Sequence, residues 1–267
     1  MGDLPIGEVV CGDCFPWLAG LPGACAQAVI VDPPYGTGTA AWDMDPPPEV
    51  WQELRRCCPE GPLAIWGYPE CHLRWARHFD GLQVIGSVAW WHYNHPTVCP
   101  GLTRHWQQIV IWGRSRKQVR AGDVREPYVR EERMAKFNHT GCPLGSNTAA
   151  VTPCHPDGRR MTDLWRIPTP GAGFNSHLRQ HPNEKPMEAC ERLVRLLTAE
   201  GETVLDCYAG SGPVPAAAVI WGREFLAAEL DPGYCEVARR RIAKARRALQ
   251  PSFALDLSSP AEQPAPA

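Results

Sequence analysis

Short apolar runs that alternate with helical stretches constrain the fold of this chain most strongly. Runs rich in β-branched and aromatic residues are typical of strands, and apolar residues at helical spacing in Met187–Ala199 predict a helix. Strands that alternate with helices predict an α/β fold with a mostly parallel sheet covered on both faces. The predicted strands are Glu8–Cys11, Ala28–Val31, Leu63–Trp66, Val84–Trp91, Gln107–Trp112, Thr203–Asp206 and Phe225–Glu229, and the further predicted helices are Glu49–Cys58, Gly67–Phe79, Ala216–Trp221 and Pro232–Leu249.

Length and charge narrow the classes of protein. The chain has 267 residues, enough for one large α/β domain or for a domain with an inserted module. Its formal net charge is −2, so any surface that binds phosphates must be a local patch. The 12 cysteines come without a signal-peptide pattern, and no segment has the length of a membrane span, so we expect reduced thiols and a soluble, cytoplasmic protein.

The run Ala28–Val31 is followed by Asp32, Pro33, Pro34 and Tyr35, a set suited to binding a weakly nucleophilic amino group. The exocyclic nitrogen of adenine or cytosine, or of a carboxamide, has a delocalised lone pair, so acceptors must draw it toward a tetrahedral geometry. An ionised Asp32 only accepts hydrogen bonds, and the carbonyl of Pro33 offers a second acceptor. Tyr35 can stack on the base. The structural alternative is a strand followed by a Pro-rich turn.

A second motif follows the strand that ends in Asp206, where glycines precede a predicted helix. This is the form of a nucleotide-type cofactor turn, in which glycines let the backbone approach a ligand. Glu229, at the tip of the next strand, is placed to accept hydrogen bonds from ribose hydroxyls. NAD is the rival ligand, but Pro215 stands where the dinucleotide fingerprint has its third glycine. The turn consists of Cys207, Tyr208, Ala209, Gly210, Ser211 and Gly212.

The two motifs in this order resemble the N6-adenine and N4-cytosine DNA methyltransferases of the β group. In that family the acceptor motif comes first, a target-recognition region follows, and the S-adenosylmethionine turn comes last. The resemblance covers residues 8–249 apart from the middle of the chain. It implies a Rossmann-like class I S-adenosylmethionine-dependent methyltransferase sheet, circularly permuted and with an inserted target-recognition region. Residues 1–112 would form the catalytic half, 113–176 the insert, 177–250 the cofactor-binding half of the same domain and 251–267 a disordered tail.

The resemblance also implies roles for single residues. Asp32, Pro33, Pro34 and Tyr35 take the place of the catalytic motif, and Trp42 with Asp43 resembles the Trp-Asp pair that often follows it. Gly12 and Asp13 resemble the turn beside the cofactor adenine. Residues 181–186 resemble a His-Pro-x-x-Lys-Pro segment in which Lys185 contacts the methionine end of the cofactor. The implied cofactor-binding residues are Asp13, Lys185, Asp206, Tyr208, Ala209, Gly210, Ser211, Gly212 and Glu229, with Arg223, Phe225 and Tyr234 matching the family's tail; Pro213 and Tyr208 depart from its usual Thr and Phe.

The implied reaction transfers the methyl group of S-adenosylmethionine to N6 of an adenine that is flipped out of double-stranded DNA. In that family, Asp rather than Ser at the first position of the motif tends to accompany adenine, so Asp32 favours adenine as the acceptor. Cytosine N4, RNA or protein glutamine as acceptor, and a catalytically silent DNA-binding relative, are the alternatives. No metal is expected, because the sulfonium is already an activated methyl donor. The resemblance implies a prokaryotic or phage-encoded enzyme and is compatible with a homodimer and with a cognate restriction nuclease.

Basic residues cluster in the middle of the chain, where they could contact phosphates or read guanine edges. Acidic residues interrupt this cluster, so a solvated charged loop is the alternative for each of them. The helix Pro232–Leu249 is more basic still, but a solvated helix face is favoured there. The basic residues of the middle are Arg114, Arg116, Lys117, Arg120, Arg125, Arg130, Arg133, Lys136, Arg159, Arg160 and Arg166, and those of the helix are Arg239, Arg240, Arg241, Lys244, Arg246 and Arg247.

Three further patterns are weaker. Cys11 and Cys14 form a single C-x-x-C without a second pair, so the pattern favours neither a metal nor a redox site. Six His and Cys residues of the middle region lack the paired spacing of zinc ligands. The segment Trp90–Tyr93 could stack on bases but is more typical of the end of a core strand. The six residues are His139, Cys142, Cys154, His155, His177 and His181.

Overall fold

The computed structural model describes residues 4–38, 43–92, 103–121, 124–126, 158–171 and 183–250. Within these ranges an eight-stranded sheet carries helices on both faces. The strands are β1 (Val9–Cys11), β2 (Ala28–Val31), β3 (Leu63–Gly67), β4 (Gln83–Trp91), β5 (Trp106–Gly113), β6 (Arg125–Glu126), β7 (Arg159–Arg160), β8 (Leu164–Arg166), β9 (Thr203–Asp206) and β10 (Glu224–Glu229). The helices are α1 (Cys14–Gly20), α2 (Pro48–Cys57), α3 (Pro69–Trp75), α4 (Met187–Leu197), α5 (Pro213–Ile220) and α6 (Pro232–Leu249), with 3-10 turns at Ala76–His78 and Arg116–Gln118.

The strand order of the sheet is β1-β10-β9-β2-β3-β5-β4-β8, and β6 pairs separately with β7. Neighbouring strands of the sheet run parallel, except that β5 is antiparallel to both β3 and β4. The predicted mostly parallel sheet is therefore present, with β5 as its exception. The strands β2 and β9, which carry the two predicted motifs, are direct neighbours.

Two apolar cores lie on opposite faces of the sheet. All four residues of β2 are fully buried, because a central parallel strand is covered on both sides. Side chains alternate between the faces: Ala28 and Ile30 pack with α4, α5 and α6, whereas Val29 and Val31 pack with α1, α2 and α3. This alternation decides which side chains reach the carboxyl edge of each face.

Most predicted elements are present within a few residues of their predicted limits, and the differences have local causes. Helix α5 begins at Pro213 instead of Ala216, because proline is suited to a first helical position that needs no N–H. Helix α1 was not predicted; Asp13 caps it by accepting a hydrogen bond from the Phe15 amide at 2.8 Å. The short strand β8, within the predicted insert, pairs with β4 at the edge of the sheet.

None of the helices described above combines the length and the apolar character that crossing a bilayer requires.

Candidate functional site

On one face of the sheet, the apolar rows of three parallel strands end in an acidic residue. Ile30 precedes Asp32 by two positions, Val204 precedes Asp206, and Ala227 precedes Glu229. Because side chains alternate along a strand, each acid lies on the same face as its apolar predecessor. All three carboxylates line one cavity of about 930 Å³, together with Asp13, Pro33, Pro34, Tyr35, Lys185, Tyr208, Ala209, Gly210 and Ser211. The structure thus brings the two predicted motifs to one site.

Both carboxylate oxygens of Asp32 are engaged. The hydroxyl of Tyr35 donates to Oδ1 at 2.5 Å, and Nζ of Lys185 lies 2.6 Å from Oδ2. Burial, followed by the charge of Asp32, raises the pKa of Tyr35 well above its ordinary value, so Tyr35 remains a neutral donor. Lys185, implied by the resemblance to contact the cofactor, has only 6% of its side chain exposed and places its ammonium on the acceptor carboxylate.

Aromatic rings surround this ion pair. The ring of Tyr35 packs edge-on against Tyr68, with centroids 5.3 Å apart, and lies 6.4 Å from Trp75. The ammonium of Lys185 is 5.7 Å from the Tyr35 centroid and 6.0 Å from that of Trp90, which also lines the cavity. Such distances allow a cation–π attraction. The acceptor side of the cavity therefore combines a carboxylate, a cation and aromatic walls.

Asp43 holds the loop that follows the acceptor motif. Its Oδ1 accepts hydrogen bonds from the amides of Tyr35 at 2.8 Å and Gly36 at 3.1 Å. Its Oδ2 accepts from the amide of Thr37 at 3.0 Å and from the Thr37 hydroxyl. Asp43 is only 6% exposed. This carboxylate fixes the backbone that carries Tyr35, a role that the Trp-Asp resemblance did not specify; Trp42 lies outside the described residues.

The cofactor turn between β9 and α5 presents acceptors and a tight backbone. Glu229 Oε2 accepts a hydrogen bond from the Gly210 amide at 2.7 Å, and Oε1 accepts one from the Asp231 amide at 2.9 Å. Asp206 accepts from the Tyr208 amide at 3.1 Å and is 3% exposed. Burial, with smaller contributions from Asp32 and Glu229, raises the pKa of Asp206 well above its ordinary value. The turn could therefore hold a nucleoside-containing cofactor by hydrogen bonds to its hydroxyl and amino groups.

Gly212 is required for packing and not for an approach to the cavity. Its φ is +77°, and a Cβ atom there would lie 2.7 Å from Cβ and 2.8 Å from Cα of Ala238 in α6. Gly210 also has a positive φ, +52°, and it does line the cavity. The close backbone approach to a ligand that was expected of both glycines thus fits Gly210 alone.

Asp13 joins the cavity from the first strand of the sheet. The parallel pairing of β1 with β10 sets Cys11 opposite Glu229, and the Gly12 amide donates to the Glu229 carbonyl at 2.9 Å. Asp13 follows directly, caps α1 and lines the cavity. The predicted adenine-side turn therefore lies beside the predicted ribose acceptor.

A buried ion pair that was not predicted from the sequence lies behind the cofactor turn. The guanidinium of Arg241 in α6 contacts the carboxylate of Glu184 and donates to the hydroxyl of Ser211 at 3.2 Å. Their side chains are only 17% and 8% exposed for Arg241 and Glu184. The expectation of a solvated helix face is wrong for Arg241, because its side chain turns toward the core. Arg241 lies beside the apolar stripe formed by Cys235, Ala238, Ile242 and Ala245, whereas the exposed Arg240 lies on the opposite side of the helix, so helical spacing is the signal that separates the two.

Cys11 and Cys14 do not form one site, because the Cys14 thiol contacts Cys207 and the Cys11 thiol contacts Cys235. No group of three or more metal-ligating side chains occurs within the described ranges. In the middle region, Arg159 pairs with Glu126 at 2.8 Å and Arg125 donates to the Gly158 carbonyl at 3.1 Å. Tyr93, Arg130, Arg133, Lys136, His139, Cys142, Cys154, His155, His177 and His181 lie outside the part of the chain that the structure describes.

Comparison with solved structures identifies the fold. TTHA0409 from Thermus thermophilus, solved in complex with S-adenosyl-L-methionine, is 24% identical with a TM-score of 0.58, over 92% of this chain and 95% of that one. The cytosine-N4-specific PvuII DNA methyltransferase is 13% identical with a TM-score of 0.54, over 90% and 93% of the two chains. At these identities the likeness shows a mixed α/β methyltransferase fold.

Sequence comparison identifies the family. The DNA adenine methyltransferase YhdJ of Escherichia coli (strain K12) is 25% identical over 258 residues, which are 88% of this chain and 82% of YhdJ. Two curated type II methyltransferases align over only 65% and 52% of their own lengths, so the chain spans between half and two thirds of those relatives. A family model described as DNA methylase, of the N6/N4 methyltransferase type, matches residues 26–240. That span contains both motifs and most of the chain, and the chain belongs to the N6/N4 DNA methylase family.

Proposed function

We propose that this protein transfers a methyl group from S-adenosylmethionine to N6 of a flipped-out adenine in double-stranded DNA. The observation that carries the proposal is the placement of Asp32 and of the turn residues 206–211 in one cavity, at the ends of the neighbouring strands β2 and β9. Ligands of open α/β sheets bind at the carboxyl ends of the strands. One strand end thus offers acceptors for an amino group, and the next offers a cradle for a nucleoside.

The residues of the cradle fit S-adenosylmethionine. Glu229 ends the strand beside the glycine turn and would accept hydrogen bonds from ribose hydroxyls, while Asp13 lies on the adenine side. Asp206 is a buried acid on the cavity wall, where its carboxyl group can exchange hydrogen bonds with a polar ligand. When bound, S-adenosylmethionine supplies a methyl group that its sulfonium already activates.

The remaining work is done by the side chains of the acceptor site. Asp32 and the Pro33 carbonyl each accept a hydrogen bond from one N–H of the target amino group, so that the lone pair of its nitrogen points toward the cofactor side of the cavity. The Tyr35 hydroxyl fixes the orientation of the carboxylate through the 2.5 Å hydrogen bond. Tyr35 and Trp90 supply aromatic surface for a base that has left the duplex.

Adenine is the proposed acceptor because Asp32 opens the motif and because the relative YhdJ is named as a DNA adenine methyltransferase. Cytosine N4 is the second candidate. It is supported by the similarity of the fold to the cytosine-N4-specific PvuII enzyme. Both acceptors share an amino group next to a ring nitrogen, so the same carboxylate can serve either.

We also propose that the sheet is circularly permuted, with the acceptor half first in the chain. Arg246 near the end of α6 donates to the Gly7 carbonyl at 2.7 Å, and Arg239 donates to the Val9 carbonyl at 2.9 Å, so α6 lies beside the start of β1. A rearranged chain that joins residue 250 to residue 4 by a short linker, and opens between 176 and 177, should keep the wild-type melting temperature and cofactor affinity. A rearranged chain that does not fold would contradict the permutation.

The activity is tested by incubating the protein with labelled S-adenosylmethionine and unmethylated genomic DNA, followed by digestion to nucleosides. Label on N6-methyladenine supports the proposal, label on N4-methylcytosine selects the second candidate, and unlabelled DNA contradicts both. Asp32→Ala should lose transfer and keep cofactor binding. Asp80→Ala, at an exposed carboxylate in the turn before β4, is the matched control and should retain both.

A further inference from the structure

The segment that carries Lys185 is fastened at two points, one on each side of the cavity. On the acceptor side, the Lys185 ammonium lies 2.6 Å from Asp32. On the cofactor side, the preceding residue Glu184 is paired with Arg241, which also donates to Ser211 of the glycine turn. A continuous line of contacts therefore runs from Ser211 through Arg241, Glu184 and Lys185 to Asp32.

These contacts are shielded from solvent, so they hold more firmly than surface ion pairs. The side chains of Lys185, Glu184 and Arg241 are 6%, 8% and 17% exposed, and that of Asp32 is 24% exposed. Exposed pairs contribute little to stability, whereas removal of one partner of a buried pair leaves an uncompensated charge. Because the Lys185 ammonium is buried, it needs a partner of opposite charge, and Asp32 is that partner.

The ammonium lies on the side of the cavity that would receive the base. Its nitrogen is within 6.0 Å of the ring centroids of both Tyr35 and Trp90, which are the aromatic walls of the acceptor site. Through Oδ2 it restrains the same carboxylate that the Tyr35 hydroxyl restrains through Oδ1. With one contact on each oxygen, the plane of the carboxylate cannot turn away from the amino group.

We propose that Lys185 is a positioning residue for Asp32, and that Glu184 and Arg241 hold it there. The inference rests on the proposed amino-group methylation. It differs from the role implied by the family resemblance, in which Lys185 contacts the methionine end of the cofactor. Because a carboxylate has about four lone-pair sites, Asp32 can keep Lys185 and still accept an amino N–H.

Ionisable groups face Asp32 from several elements of the fold. Tyr35 faces it from the same loop, Lys185 from the segment before α4, Cys190 from α4, and Asp206 from β9. Within the described ranges, Lys185 is the cation in ion-pair contact with Asp32. Without it, only the Tyr35 contact of the two would remain and the carboxylate could turn about it, so kcat should fall while cofactor binding is kept.

The test compares Lys185→Met and Lys185→Arg with the wild type, using labelled S-adenosylmethionine and DNA. Lys185→Met should lower kcat about 10- to 100-fold, while the dissociation constant of S-adenosylmethionine stays unchanged. Lys185→Arg, which can still pair with the carboxylate, should restore most of kcat. Lys244→Met, the same change at an exposed position of α6, is the matched control and should match the wild type.

The anchor is tested by Arg241→Gln, with Arg240→Gln at the exposed neighbouring position as control. Arg241→Gln should lower kcat as Lys185→Met does, which keeps the inference testable even where Lys185→Met does not fold. An increase in the dissociation constant of S-adenosylmethionine in Lys185→Met, with an unchanged kcat, would assign Lys185 to the cofactor and overturn the inference. A wild-type protein that leaves DNA unlabelled overturns the proposed function and this inference together, whereas an active Lys185→Met with wild-type kcat overturns the inference alone.

Discussion

Asp43 offers the sharpest test of how the acceptor loop is held. Its carboxylate accepts hydrogen bonds from three backbone amides and one hydroxyl of the loop 35–37, and none of these donors belongs to the cofactor turn. Asp43→Asn keeps one carbonyl oxygen and so retains the contacts of Oδ1. Its amide nitrogen would face the Thr37 amide, donor against donor, where Oδ2 now accepts. Asp43→Ala removes every acceptor.

The expected losses follow from the number of hydrogen bonds. A hydrogen bond to a charged group contributes about 1.5–3 kcal/mol. Asp43→Asn should therefore cost about one such contact, and Asp43→Ala about two or more after water replaces some of the lost acceptors. Because about 1.4 kcal/mol corresponds to a factor of ten, kcat should fall about 10-fold for Asn and about 100-fold or more for Ala.

The assay is single-turnover methyl transfer, with the dissociation constant of S-adenosylmethionine measured in parallel by calorimetry. Both variants should keep the wild-type dissociation constant, because the contacts of Asp43 described here lie in the acceptor loop. Asp80→Asn, at an exposed carboxylate, is the control for the substitution itself. Wild-type kcat in Asp43→Ala would refute the assignment, and so would equal losses in the two variants.

Three further predictions concern single groups. Burial raises the pKa of Asp206, so the folded state holds its proton above the ordinary carboxyl range of about pH 4, and the stability of the fold falls as pH rises beyond that value. The melting temperature of Asp206→Asn should therefore exceed that of the wild type at pH 7 and equal it at pH 4. An equal difference in melting temperature at both pH values would contradict this. A hydrogen bond from the Cys57 thiol lowers the pKa of Cys25 to about 7, while burial raises the pKa of Cys58 to about 12. Iodoacetamide at about pH 7.5 should therefore label Cys25 and spare Cys58, as measured by peptide mass analysis. Labelling of Cys58 without Cys25 would contradict the prediction. Gly212→Ala should lower the free energy of unfolding in urea by about 2–4 kcal/mol. The control is Gly201→Ala, which should lower it by about 1–2 kcal/mol, because Gly201 has a similar φ of +79° but open space around it. Equal losses in the two variants would refute the packing argument.

Much of the fold could be predicted because its strands are read from local patterns. The run Ala28–Val31 and the strand Thr203–Asp206 were predicted with the limits that the structure has. Helix α1 was missed because a single buried side chain, Leu18, gives no apolar periodicity over seven residues. The strand β8 was missed because three residues are too few to show a pattern, and they form a strand only by pairing with β4.

The candidate site could be predicted as two motifs but not as a set of contacts. Asp32 and Glu229 stand in recognisable local patterns at the ends of strands. The pairing of Glu184 with Arg241 depends on how α6 packs against the sheet. The apolar positions of the helix place Arg241 beside the buried stripe, but they do not identify Glu184 as its partner. Likewise, the hydrogen bond from Tyr35 to Asp32 is set by side-chain geometry that a tetrapeptide does not fix.

The 2.5 Å contact between Tyr35 and Asp32 joins an aromatic plane to an acceptor atom, so the two cannot adjust to a ligand independently. A ring that slid along Tyr35 to gain surface would carry its amino group out of line with the carboxylate. A ring that rotated to improve that line would lose surface. Recognition at this site would therefore depend on the distance between a ligand's amino nitrogen and the centre of its ring, so that ligands are distinguished by size before methyl transfer begins.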